Sequence, residues 1–184
     1  MQKLPFNTII NALLGLLFIA IMAQVTITTP EAMGGIPITG QSLAVLLVGF
    51  LLPFPWGGTV VLLYLLLGAI GLPVFAETRS GWGVLSGGSG GFLLGFMPAA
   101  FLMGYLRERG WGLHFGWSLL ANLLGTLLIV GTGVLRLAAL YDFPKALDYG
   151  LFPFWKGALL KVLIGGFVAW SMLRERESPN SGET

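Results

Sequence analysis

Hydrophobic positions gather into six stretches, at about 9–27, 41–52, 56–72, 90–106, 117–137 and 157–173. Within them the only charged residues are Arg136 and Lys161. Between them the pattern breaks sharply, at Thr29-Pro30, Pro53-Phe54-Pro55, Pro73, the Gly87–Gly91 cluster, Arg107-Glu108-Arg109-Gly110 and Phe143-Pro144. Such punctuation ends helices. A helix needs roughly 20 apolar residues to cross a hydrocarbon core of ~30 Å, and the stretches approach that length. The second is the exception, reaching only ~18 Å at 1.5 Å per residue. It cannot span alone. Either the preceding 34–40 segment enters the membrane or neighbouring helices shield the short one, because bare backbone is not tolerated in lipid. Non-helical backbone at membrane depth commonly lines a cavity, so a binding site is expected beside this segment.

Composition strengthens the lipid reading. The chain is 55% hydrophobic and 10% charged, with a mean hydropathy of +0.85, whereas soluble domains carry about a quarter charged residues. The run from Ile9 to Ile27 is too long for a signal-peptide core, and no A-x-A site follows it, so it is expected to be a retained first span. Six spans place both termini on one side. Lys3, Arg107, Arg109, Arg174 and Arg176 would share that side, while Arg79, Lys145 and Lys156 would lie opposite; the excess marks the termini as cytoplasmic. The expectation is an all-α membrane protein, a bundle of six transmembrane helices. It forms a single integral domain over 1–184, with a polar tail at about 174–184, as a multi-pass protein of the cell's inner or plasma membrane.

Several functions are excluded. A net charge of +2 with scattered basic residues offers no stripe for nucleic acid. Without cysteine, and with His114 as the one histidine, no thiolate, metal or disulfide chemistry is expected. His114, beside Phe115 and Trp117, reads as an interfacial residue. There is no H-E-x-x-H, G-x-S-x-G or G-x-x-x-x-G-K-[ST] motif, and the acidic residues lie in loops or the tail. The chain is therefore expected to have no catalytic residues, metal or cofactor, and no ATPase site.

The remaining signals concern packing and binding. Small residues recur in a four-residue register at Gly87, Gly91, Gly95 and Ala99, at Gly157, Gly165 and Ala169 (the place between the first two held by Lys161), and at Ala121 and Gly125, a pattern that lets helix backbones approach closely in lipid. An ionisable group inside a bilayer is expensive. Lys161 shares a face with Gly157 and Gly165, so it either meets a ligand in the bundle interior or snorkels to the interface. Arg136, read as the end of the fifth helix, suits the helix dipole or headgroups. Gln41, after Pro37-Ile38-Thr39-Gly40, carries a carboxamide that suits an amide or urea-like ligand and equally a helix-end cap. Gln24 is placed to bond to another helix. The connection Phe75–Gly91, with Glu77, Arg79, Trp82 and its glycines, is long enough for a lid or binding loop.

The stretch Ile36-Pro37-Ile38-Thr39-Gly40-Gln41, with Val45–Gly49 and Leu51-Leu52, has a familiar form. So do the block from Tyr64 to Ala76, which contains Gly68-Ala69-Ile70-Gly71-Leu72-Pro73, and the later Gly87-Gly88-Ser89-Gly90-Gly91-Phe92 with Gly95-Phe96. Together, and in this order from about Ala20 to Lys161, they resemble the BioY family, the biotin-binding S components of energy-coupling factor (ECF) vitamin transporters. The resemblance implies a six-helix S-component fold with a vitamin pocket near the outer face, capped by the first and third outer loops. It implies biotin as ligand, with a transmembrane T protein and two ATPase subunits as partners; some members are thought to work without a dedicated module. The family glutamine matches Gln41, and the lysine of its P-G-D-x-x-K pattern matches Lys161. The aspartate of that pattern falls on Ala158 and its proline on Lys156, which removes an acid that would bond ureido N–H groups. A polar residue of the third outer loop aligns with Arg79, suited to the ligand's carboxylate. The small-residue pair on the first helix that helps dock the T protein is poorly met by Ala12, Leu16 and Ala20. The candidate ligand-binding residues are Thr39, Gln41, Phe75, Arg79, Trp82 and Lys161. The alternatives are an S component for another small vitamin-like carboxylate, or a membrane scaffold without a ligand.

Overall fold

The computed structural model describes residues 6–27 and 36–176. Lys3, the Thr29-Pro30 break, the beginning of the 34–40 bend and the tail after Arg176 lie outside them. Among the described residues there are eight α-helices and one short antiparallel hairpin. In chain order these are α1 (Phe6–Gln24), β1 (Thr26–Ile27), β2 (Ile38–Thr39), α2 (Gln41–Leu51), α3 (Trp56–Ala69), α4 (Trp82–Ser86), α5 (Gly90–Glu108), α6 (Phe115–Leu140), α7 (Phe143–Gly150) and α8 (Trp155–Arg176). A 3-10 turn covers Ala76–Thr78.

Each of the six expected stretches is a helix. Four of these helices, α1, α5, α6 and α8, are long and apolar enough to cross a membrane, whereas α2 and α3 have 11 and 14 residues. The short α2 is the centre of the molecule, buried along almost its whole length from Gln41 to Phe50. That resolves how it tolerates its shortness: α1, α3, α5, α6 and α8 surround it, so protein rather than lipid meets its ends. By contrast α1 exposes Ile9, Leu13, Leu14, Leu17 and Ile21 and, among its described side chains, buries only Ile19 and Ala23. With no hydrophobic drive between helices in lipid, close approach decides packing. A side-chain carbon at Gly49 would lie 2.8 Å from Ala100 Cα, and one at Gly57 would lie 2.6 Å from Gly49 Cα. Gly91 and Gly95 press in the same way on Thr132 of α6, and Gly165 and Gly166 press on Asn122 and Leu119.

Three expectations about boundaries change. The third stretch stops as a helix at Ala69, because Gly71 takes a φ of +113° ahead of Pro73. The fifth runs on to Leu140, so Arg136 lies one turn inside α6 rather than at its end; its guanidinium donates to Ser86 O at the last residue of α4. Finally, Phe143-Pro144 starts a helix instead of merely breaking one. Asp142 caps α7, its carboxylate accepting from Lys145 N at 2.9 Å, with proline in the first turn, where its missing N–H is not needed.

Candidate functional site

The β1–β2 hairpin delivers the chain to α2. Thr26 pairs with Thr39 and Ile27 with Ile38, and Gly40 N donates to Val25 O at 2.9 Å. Gln41 therefore begins α2 with its side chain inside the bundle, 4% exposed. A carboxamide buried there needs partners, and Tyr64 on α3 supplies one. Gln41 Nε2 donates to Tyr64 Oη, which in turn donates to Val74 O at 2.8 Å. The Thr39 hydroxyl lies 3.4 Å from Gln41 Oε1 and accepts from Gln41 N at 3.3 Å.

Lys161 reaches the same place from α8. Its ammonium donates to Thr39 O at 2.6 Å and to Ser42 Oγ at 3.0 Å. The snorkelling alternative is thereby set aside: the side chain points into the bundle. Of the three N–H groups of an ammonium, two are committed to these partners.

These residues line a partly open cavity with about 80 Å³ of space for the centre of a water-sized sphere, walled mostly by apolar side chains with a few convergent polar groups, as small-molecule sites are. Thr39, Gln41, Ser42 and Lys161 form its polar cluster. Phe75, Phe92, Phe96, Phe154, Leu46 and Ile129 supply apolar wall, and Arg79 adds a second cation from the segment after α3. Ala158, at the position of the family aspartate, is also in the wall, and no aspartate or glutamate is among the lining residues. The cavity is thus aromatic and cationic, with amide, hydroxyl and carbonyl groups to orient a neutral polar head.

Phe75 and Arg79 are held by a tight local structure. The Phe75 ring fills the space over Gly68, where a side-chain carbon would fall within the ring, and stands edge-on to Tyr64 at 5.6 Å between centroids. Phe75 N donates to Arg79 O at 3.1 Å. Gln24, the last residue of α1, bonds this segment with both ends of its carboxamide: Nε2 donates to Phe75 O at 3.0 Å, and Oε1 accepts from Thr78 N at 3.1 Å. The expected partner of Gln24 is therefore a turn and not a helix.

Of the six candidates, Thr39, Gln41, Phe75, Arg79 and Lys161 converge on the cavity. Trp82 does not join them. Gly81, with φ +86°, turns the chain into the short α4 so that Val84 faces the cavity while the Trp82 indole stands 71% exposed. Residues the sequence reading passed over include Ser42, the phenylalanines of α5 and Phe154, and above all Tyr64. A single phenol in the otherwise apolar α3 was the available signal, since a buried tyrosine hydroxyl finds a partner.

The sequence model of the BioY family matches residues 1–178. Among curated proteins, the chain is 37% identical over 138 residues to a biotin transporter BioY of Thermotoga maritima, covering 74% of this chain and 80% of that protein. It is 38% identical to a biotin transporter BioY of Rhodobacter capsulatus, over 78% and 82% of the two chains. It is 33% identical to the biotin transporter BioY2 of Lactococcus lactis subsp. cremoris, over 98% and 97%. A solved structure, the S-component for biotin from an ECF-type ABC transporter, shares the fold with a TM-score of 0.81 at 23% identity, covering 94% of this chain and 95% of that one.

Proposed function

The chain belongs to the BioY family, and on that footing we propose that it is the biotin-binding S component of an ECF transporter. It is a transport subunit and not an enzyme. The observation that carries the reading is the convergence of Gln41, Thr39 and Lys161 on an aromatic cavity that Arg79 also lines. Biotin has a rigid ureido bicycle, an apolar chain and a carboxylate. The ureido oxygen is an acceptor suited to the remaining Lys161 N–H, and the ureido N–H groups need acceptors such as Gln41 Oε1 and the hydroxyls of Thr39 and Ser42. The bicycle and chain pack on Phe75 and its aromatic neighbours, and the carboxylate pairs with Arg79. Trp82 takes no part in this arrangement.

In this reading α1, α2, α3, α5, α6 and α8 are the six membrane helices of one domain spanning the whole chain. Both termini are cytoplasmic, in the inner or plasma membrane, and the cavity opens outward. The distribution of Arg107, Arg109 and Arg174 against Arg79, Lys145 and Lys156 supports that orientation. Energy comes from a T protein and two ATPase subunits, since the chain carries no phosphate-binding loop.

The test is saturation binding of labelled biotin to the purified protein, with Gln41→Ala as control and other vitamin carboxylates as competitors. Sub-micromolar binding that Gln41→Ala weakens and competitors leave intact is expected. Absence of saturable binding would return the chain to the scaffold alternative, and preferential displacement by another carboxylate would reassign the substrate. In liposomes the chain alone should bind biotin without ATP-driven accumulation.

A further inference from the structure

Arg79 does not reach the cavity wall alone. Its Nη2 lies 3.3 Å from Glu77 Oε2, and its Nε donates to Ala76 O at 3.3 Å. The position of Glu77 is set by backbone: Glu77 has φ 58° and Thr78 has φ 56°, a left-handed region that non-glycine residues seldom occupy. Two such residues in succession fix the direction in which the carboxylate leaves the chain. The Gln24 carboxamide brackets the pair, on Phe75 O before it and Thr78 N after it. Arg79 lines the cavity, and Glu77 is not among the lining residues.

We propose that Glu77 is a built-in stand-in for the ligand's carboxylate. It holds the Arg79 guanidinium in place while the cavity is empty, and it shares or yields that guanidinium when an acid ligand arrives. Three features support the exchange. A guanidinium has five N–H donors in a fixed fork, and the two contacts above use only part of them on a residue that lines the cavity. The partners are 38% and 35% exposed, a regime in which ion pairs are weak and screened, so an incoming carboxylate competes on nearly equal terms. The pair also keeps a cation beside an aromatic wall neutralised until the ligand brings its own anion. Glu77 thereby sets how strongly the site prefers an acid over its neutral analogue. This inference rests on the biotin reading.

The experiment measures the dissociation constants of biotin and of biotin amide for the full chain. It compares the wild type with Glu77→Gln, Arg79→Gln, the double variant and Lys161→Met. Gln keeps the shape of Glu and removes the charge. Glu77→Gln should tighten biotin binding by about three- to fivefold and move the amide by less than about twofold. Arg79→Gln should abolish the preference for the acid, and adding Glu77→Gln to it should change nothing further. The proposal is overturned if Glu77→Gln leaves biotin binding unchanged, weakens it or moves both ligands alike. It is also overturned if the acid preference vanishes in Lys161→Met but survives in Arg79→Gln. A wild type that binds neither ligand brings down the biotin reading itself, a result distinct from binding that is indifferent to Glu77.

Discussion

Replacing Lys161 with methionine separates a ligand-binding ammonium from a structural one. Methionine keeps most of the stem and so preserves packing between α8 and the start of α2. In the empty protein two effects oppose each other. The substitution removes the bonds to Thr39 O at 2.6 Å and Ser42 Oγ at 3.0 Å, the first at the short end for charge-assisted hydrogen bonds. It also removes a cation from an apolar bundle, where an ammonium is penalised. The two nearly offset, and thermal stability should stay within about 1 kcal/mol. The ligand feels no such compensation. It loses the third N–H, and a hydrogen bond from a charged donor contributes about 1.5–3 kcal/mol, so the dissociation constant for biotin should rise roughly 10- to 150-fold. Titration of labelled biotin, beside a melting curve of the same preparation, measures both quantities. An affinity within about threefold of wild type, at unchanged melting temperature, would refute the assignment of that N–H to the ligand. Lost binding with a collapsed melting curve would make the lysine a strut instead.

Tyr64→Phe removes the hydroxyl that joins Gln41 to Val74 O in a position with no solvent access. The orphaned groups should lower unfolding free energy by about 1–3 kcal/mol, and biotin affinity should fall as Gln41 loses its anchor; melting curves and titration check this. Gly68→Ala would raise helix propensity by ~1 kcal/mol if space allowed, but its methyl meets the Phe75 ring, so a net loss of about 1–3 kcal/mol is expected, together with weaker binding. A gain in melting temperature would show that Phe75 is not clamped there. The Asp142 carboxyl is held below the usual carboxylate range, first by the Lys145 backbone N–H and then by the Lys145 side chain. With the folded value depressed, its contribution is complete above the unfolded carboxylate pKa and is lost as pH falls through the folded value. Amide protection in α7 should fade on acidification in that window and should be low and insensitive to pH there in Asp142→Ala.

The helices were legible because lipid demands long uncharged runs, and the bounds of α2, α5 and α8 fall close to the hydrophobic stretches. What failed to show was structure too short to carry such a run. α4 has 5 residues and hides in a glycine-rich connection, and α7 hides behind a proline that marked a break, although Asp142-Phe143-Pro144 is also a helix start. Lys161 was legible as an inward residue from the small-residue face it shares with Gly165. Its partners were not, because Thr39 O on β2 and Ser42 at the start of α2 lie more than a hundred positions earlier. Trp82 failed for a local reason, the turn at Gly81, which decides the side on which the indole emerges and leaves no trace in hydropathy.

Gln24 ties the most lipid-facing helix to the turn that carries Phe75 and Arg79. A rocking of α1 must stretch one or both of those bonds or drag the turn along, so helix inclination and the position of this part of the cavity wall are mechanically linked. Membrane helices respond to the thickness of their surroundings by changing inclination. Micelle or bilayer thickness therefore belongs to the definition of an affinity for this protein, as salt does for a nucleic-acid binder.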